Sequence, residues 1–138
     1  MKTFQEYLNE NKTQELVLIR GVPGSGKSTL AKKLGYAHFE ADMYFELKGK
    51  YTFDASKLQE AHKWCQNEVY KTLKAGKSCV VSNTFVKRWE MQPYLDMAKK
   101  ENIPVRIIEA TGNYKNVHGV PDEVIANMKQ RWETVKLN

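Results

Sequence analysis

An apolar run of strand length, Glu15-Leu16-Val17-Leu18-Ile19-Arg20, leads straight into Gly21-Val22-Pro23-Gly24-Ser25-Gly26-Lys27-Ser28. That octapeptide leads in turn into Ser28-Thr29-Leu30-Ala31-Lys32-Lys33-Leu34, whose apolar residues recur at helical spacing. A strand, a glycine loop and a helix in this order restrict the fold more than any other part of the chain. The glycines allow a tight turn in which successive amide N–H groups point inward, and the helix start brings its positive dipole end to the same spot. The pattern G-x-x-x-x-G-K-S is that of a phosphate-binding loop. Pro23, Gly24, Ser25, Gly26, Lys27, Ser28 and Thr29 would then surround the triphosphate of ATP. Lys27 would reach the β- and γ-phosphates, and the Ser28 hydroxyl would take a position on Mg²⁺.

A length of 138 residues predicts a single domain, 1–138. The chain is 41% hydrophobic and 28% charged, the balance of an ordinary globular protein. No apolar run reaches membrane-spanning length, and the N-terminus lacks a secretory apolar core. Cys65 and Cys79 have no metal-ligand or C-x-x-C spacing. Both read as small core hydrophobes of a protein in a reducing cytoplasm. A net charge of +6 favours polyanionic ligands, whether nucleotides, phosphorylated metabolites or nucleic acid. Lys57, Lys63, Lys71 and Lys74 fall on the outer face of one helix, where they serve either such a ligand or solubility alone.

Residues 1–14 carry Phe4, Tyr7 and Leu8 at helical spacing and predict a short amphipathic helix. After the loop helix ends near Gly35, a second strand is expected over Ala37–Ala41, delivering Asp42 at its end. Met43 to Phe53 is aromatic and irregular. Asp54 is a candidate N-cap for a long helix to Lys74 with the stripe Leu58, Ala61, Cys65, Val69, Thr72 and Leu73. Ser78–Ser82 predicts a third strand, and Met91, Leu95, Met97 and Ala98 mark a further helix with Pro93 early in it. Val105–Glu109 is the fourth strand. A polar segment, 111–119, reads as a short lid loop, and Pro121 opens a last helix with Val124, Ile125, Met128 and Trp132 inward. Trp64, Trp89 and Trp132 are all expected to pack. Alternating strands and helices predict an α/β fold: a three-layer α/β/α domain of the P-loop NTPase type around a four- to five-stranded parallel sheet.

In open α/β sheets, ligands sit beyond the carboxyl ends of the strands. That gathers the phosphate loop, Asp42, the Ser82-Asn83-Thr84 turn and the lid on one rim. Asp42 is the main catalytic candidate beside Lys27: it would accept a proton from an attacking hydroxyl or steady a water on Mg²⁺. The Ser82-Asn83-Thr84 turn would orient metal-bound water or serve as a plain turn. Lys87 and Arg88, at an expected helix start, run against the helix dipole and hint at an anionic ligand. Lys115 and His118 in the lid would close over ATP.

The same residues resemble a known group. Gly21 to Ala31, then Glu40-Ala41-Asp42-Met43-Tyr44-Phe45, Val81-Ser82-Asn83-Thr84, Arg88-Trp89-Glu90-Met91-Gln92-Pro93-Tyr94 and Val117-His118-Gly119-Val120-Pro121 look like the polynucleotide-kinase-like P-loop kinases, of the AAA-type and zeta-toxin-like group. The resemblance spans about Leu16 to Trp132. It implies transfer of the γ-phosphate of ATP to a 5′-hydroxyl, with Asp42 as general base, Lys27 on the phosphates and Ser28 on Mg²⁺. The chain departs from that family in three ways. Ser82 and Phe85 stand where the family often has an acid and an asparagine. Phe45 stands where polynucleotide kinase has an arginine for a nucleic-acid phosphate. The lid is short, with Lys115 its one basic side chain.

The expectation is therefore a cytoplasmic ATP- and Mg²⁺-dependent kinase acting on a polynucleotide 5′-hydroxyl or a nucleoside-like hydroxyl acceptor, with nucleic-acid ends as possible partners and no membrane. The alternative is an ATP-binding interaction module with little or no turnover, favoured by the acid missing at Ser82 and the thin lid. Intact Lys27, Ser28 and Asp42 count against it.

Overall fold

The computed structural model describes residues 14–47, 49, 51–112 and 120–135. The expected helix over 1–14, apart from Gln14, and most of the 111–119 lid, Lys115 and His118 included, lie outside these residues.

Leu16–Arg20 forms strand β1, and all five residues are buried, as a continuous apolar run with no polar alternation requires. It pairs in parallel on both sides. Leu18 lies opposite Val81 of β3 (Cys79–Asn83) and opposite Ile107 of β4 (Val105–Glu109). A three-residue strand, β2 (Ala37–Phe39), adds to the far side of β3, so the order is β2-β3-β1-β4. The sheet therefore has four strands among the described residues, all parallel.

Successive side chains of β1 point to opposite faces of the sheet, and each face has its own core. Leu16 and Leu18 join Cys79, Val81 and Ile107 under Ala61, Cys65, Val69 and Leu73 of helix α2 (Leu58–Lys74) and Tyr94 and Ala98 of helix α3 (Gln92–Lys100). Val17, Ile19 and Val80 pack against Ala31, Leu30 and Leu34 of helix α1 (Lys27–Leu34). This is the expected three-layer arrangement. Each fully buried aliphatic side chain of β1 contributes roughly 1.5–3 kcal/mol by leaving water, which makes this strand the least replaceable element. Cys65 and Cys79 are free thiols buried among these residues.

Some expectations need correction. The second strand stops at Phe39, and Ala41–Glu46 is a 3-10 helix. The Ala41 N–H is taken by Asn83 Oδ1 at 2.9 Å, and the Met43 N–H turns back to the Glu40 carbonyl at 3.1 Å, so the backbone leaves the sheet before Asp42. The Asp54 side chain accepts from the Ser56 N–H as expected of a cap, but it caps a 3-10 turn, Ala55–Lys57. The turn delays α2, and Leu58 is left 40% exposed. The last helix, α4 (Asp122–Arg131), buries none of its residues, and Val124 is exposed. The anchor lies just beyond it, where the Glu133 N–H donates to the Val86 carbonyl at 2.9 Å and Trp132 lies against Arg20. Trp64 packs edge-on against Phe39, whereas Trp89 is 73% exposed, because Met91 takes the inward position at the start of α3.

Candidate active site

The loop between β1 and α1 places Gly24 and Gly26 at φ of 84° and 91°, left-handed values that disfavour any side chain. Among the described residues no side chain caps α1, so the first-turn amides of the helix are left to the loop. Half-buried Lys27 donates from Nζ to the Val22 carbonyl at 3.2 Å, which holds its ammonium across the loop. Burial lowers the Lys27 pKa, and the charges of Glu40 and Asp42 offset part of that lowering. Ser25 is buried, with Oγ unpartnered among the described residues, and its carbonyl accepts from the Gly112 N–H at 3.0 Å. Thr29 is exposed on α1.

Glu40, which sequence reasoning passed over, stands at the centre of the rim. Ser28 Oγ donates to Glu40 Oε1, and Ser82 Oγ donates to the same oxygen at 2.9 Å. His38 Nε2 lies 3.2 Å from that oxygen and 2.6 Å from Ser82 Oγ. Burial by itself would raise the Glu40 carboxyl. The hydrogen bonds from His38 and Ser28, the charge of His38 and the bond from Ser82 outweigh it and bring the pKa down to about 2. The β3 turn that lacks a carboxylate thus has one beside it, delivered from the next strand. The signal available beforehand was the pair Glu40-x-Asp42 at the end of β2.

Asp42 sits half-buried on the 3-10 helix against Tyr51. The Tyr51 hydroxyl is raised by burial first and then by the charges of Asp42 and Glu46. Asn83 fixes this turn through Ala41, and its own Nδ2 is buried without a partner among the described residues. Phe45 is buried in the core, stacked edge-on against Tyr44, Tyr51 and Phe53, so this position presents no phosphate ligand.

Arg20 is also new. Its side chain is fully buried. Nε and Nη2 donate to the Phe85 carbonyl at 3.1 and 2.7 Å, and Nη2 also donates to the Val86 carbonyl at 3.1 Å. Its guanidinium carbon lies 4.0 Å over the Trp132 ring. The Thr84 carbonyl, one residue before Phe85, accepts from the Gly21 N–H at 3.3 Å. Arg20 therefore ties the β3 turn to the base of the phosphate loop. Arg88, read as a hint of an anionic ligand, is 3.5 Å from Glu133, so an internal carboxylate answers its charge. A cavity of about 320 Å³ adjoins the loop between Ser25, Thr111, Gly112, Lys129 and Trp132.

A parallel sheet with a glycine loop closing onto a helix, a lysine folded into that loop and carboxylates beyond the next strand define a P-loop domain of the kinase-like type. Residues 16–115 match the AAA domain family, and the chain belongs to it. It is 35% identical over 133 residues to NEDD4-binding protein 2 of Homo sapiens, covering 86% of this chain and 8% of that protein. The chain thus spans only a small part of that relative. Its fold is shared with a chain of the Pnkp1/Rnl/Hen1 complex (TM-score 0.60, 17% identity, 91% of this chain and 41% of that one). It is also shared with the Mycobacterium tuberculosis APS kinase CysC in complex with AMPPNP and APS (TM-score 0.54, 14% identity, 83% and 68%). A gluconokinase from Sinorhizobium meliloti 1021 has the same fold (TM-score 0.57, 15% identity, 90% and 78%). Among the described residues no helix is long and apolar enough to cross a membrane.

Proposed function

We propose that this domain is a phosphotransferase that moves the γ-phosphate of ATP to a hydroxyl acceptor, with a polynucleotide 5′-hydroxyl as the first acceptor and a nucleoside-like hydroxyl as the second. The observation that carries the reading is the hydrogen bond from Ser28 of the phosphate loop to Glu40, two residues before Asp42, with Lys27 folded across the same loop. A module that only binds nucleotide has no need of a carboxylate on the acceptor side.

In this reading the loop amides and Lys27 hold the triphosphate, and the cavity beside Trp132 accommodates base and sugar. Asp42 accepts the proton of the attacking hydroxyl. The donor set of a hydroxyl and a carboxylate, all oxygen, fits a hard divalent cation. Mg²⁺ bound there supplies charge neutralisation on the phosphates. The protein contributes mainly positioning, since phosphoryl transfer asks little covalent chemistry of it. Lys115 and His118 would close the site from the lid. The rival reading, an ATP-binding interaction module with little or no turnover, drew on the acid missing at Ser82 and on the thin lid; Glu40 beside Ser82 speaks against the first of these grounds. Two buried free thiols fit a cytoplasmic location.

The test is transfer of labelled γ-phosphate from Mg·ATP to 5′-hydroxyl DNA and RNA oligonucleotides, with Asp42→Asn alongside. Transfer lost in the variant while ATP still binds is the expected result. Normal turnover by Asp42→Asn would remove the general base, and ATP binding with no acceptor of any kind would favour the rival.

A further inference from the structure

The strand ends beside the phosphate loop hold an acid, Glu40, at the exit of β2. β2 and β3 pair with Phe39 opposite Val81, so the next positions, Glu40 and Ser82, come side by side at the strand exits. Ser28, Ser82 and His38 all contact one oxygen, Glu40 Oε1. Among the described residues the other oxygen, Oε2, makes no hydrogen bond. A serine hydroxyl has one proton to donate and two lone pairs to offer. Ser28 spends its proton on Glu40, which leaves its oxygen lone pairs to a cation. Ser82 likewise orients to the carboxylate rather than replacing it.

We propose that Glu40 is the acidic positioning residue for the divalent cation beside Ser28, supplying from the end of β2 the charge that a carboxylate at the Ser82 position would supply from the end of β3. This rests on the reading that the site binds Mg·ATP, and it deepens that reading. Mg²⁺ is held by one or two carboxylates together with substrate phosphates, and Glu40 meets the first requirement without any residue of the β3 turn. The substitution at Ser82 is then a relocation of the acid, and the site keeps its metal.

The distinguishing property is a change of sign. With the cation present, Glu40 helps hold Mg·ATP. Without it, the same carboxylate repels the triphosphate. Calorimetric titration of the full chain with ATP, once in excess Mg²⁺ and once in EDTA, reads both. Glu40→Gln is expected to weaken Mg·ATP binding about tenfold or more and to leave metal-free ATP binding equal or tighter. Adding Ser82→Asp to that variant is expected to restore the Mg²⁺ dependence. Equal weakening in both conditions would make Glu40 merely structural and overturn the proposal, as would a Glu40→Gln variant with unaltered Mg²⁺ dependence. If Glu40→Gln alone proves unfolded by circular dichroism, the double variant decides. Its Mg²⁺ dependence matching wild type supports the relocation, and its loss overturns it. Failure of the wild-type chain to bind ATP in either condition would instead overturn the underlying reading, and this proposal with it.

Discussion

Arg20→Met isolates the opposing forces on a charge buried at the end of the central strand. Methionine keeps much of the apolar stem but leaves the Phe85 and Val86 carbonyls without the donors they now have at 2.7 to 3.1 Å. Orphaning a buried acceptor costs about 1–3 kcal/mol, so the two carbonyls cost about 4 kcal/mol together. Losing the cation from the Trp132 ring adds about 1 kcal/mol. Against this stands the relief of returning a guanidinium to water, since its nearest acid, Glu109, is 4.0 Å away. Burial indeed depresses the Arg20 pKa despite the charges of Glu109, Glu90 and Glu133. That relief is on the order of 3 kcal/mol. The hydrogen bonds win by about 2 kcal/mol, which lowers a urea midpoint by about 1 M at an unchanged slope. Urea unfolding followed by tryptophan emission and by circular dichroism measures it. A variant as stable as the wild type, or more so, would refute the reasoning: the desolvation of the guanidinium would then exceed everything its hydrogen bonds contribute.

Glu40 predicts an acid-sensitive contribution to stability. Its pKa falls from an ordinary 4.5 to about 2 on folding. The contribution is thus fully present above pH 4.5 and is lost as pH falls toward 2, amounting to about 3 kcal/mol. The stability gap between wild type and Glu40→Gln should therefore shrink between pH 5 and pH 2, and a gap constant over that range would contradict the assignment. Lys27→Ala should reduce phosphoryl transfer at least about a hundredfold and weaken ATP binding, read by single-turnover assay and calorimetry; unchanged transfer would place the chemistry elsewhere. Asn83→Ala orphans the buried Ala41 N–H and should cost about 1–3 kcal/mol in urea unfolding. It should also slow transfer more than it weakens ATP binding, because the turn it loosens carries Asp42.

The parts of the fold legible in the sequence are those decided within a few residues. The β1 run, the glycine loop, the α1 face and the Asp54 cap each depend on neighbours along the chain. The parts that were not legible depend on distant partners. β2 ends early because Asn83, 42 residues on, takes the Ala41 amide. The pair Glu40-x-Asp42 marks a local acid, but its contact with Ser82 arises only because β2 and β3 lie side by side. A charged residue closing a strand normally meets solvent. Arg20 does not, because the turn carbonyls and Trp132 close over it. Trp89 has the hydrophobic bulk of a core residue, yet Met91 takes the position facing the sheet. Position along a stripe predicted burial well in the middle of α2, at Ala61, Cys65, Val69 and Leu73, and poorly at Leu58, where a 3-10 turn shifted the phase.

The strand order also divides the two halves of the site by how readily they open. The phosphate loop hangs from β1, which is hydrogen-bonded along both sides and buried along its whole length. Asp42 hangs from β2, three residues long at the rim of the sheet and only partly buried. Amide exchange in such an arrangement is slowest where ladders flank a strand on each side and fastest at the margins. The half that carries the phosphate loop thus shares the protection of the most persistent part of the molecule, and the half that carries Asp42 can breathe without the sheet coming apart. Chemistry that must hold one reactant in a fixed grip while admitting another of variable shape is well served by that unequal footing.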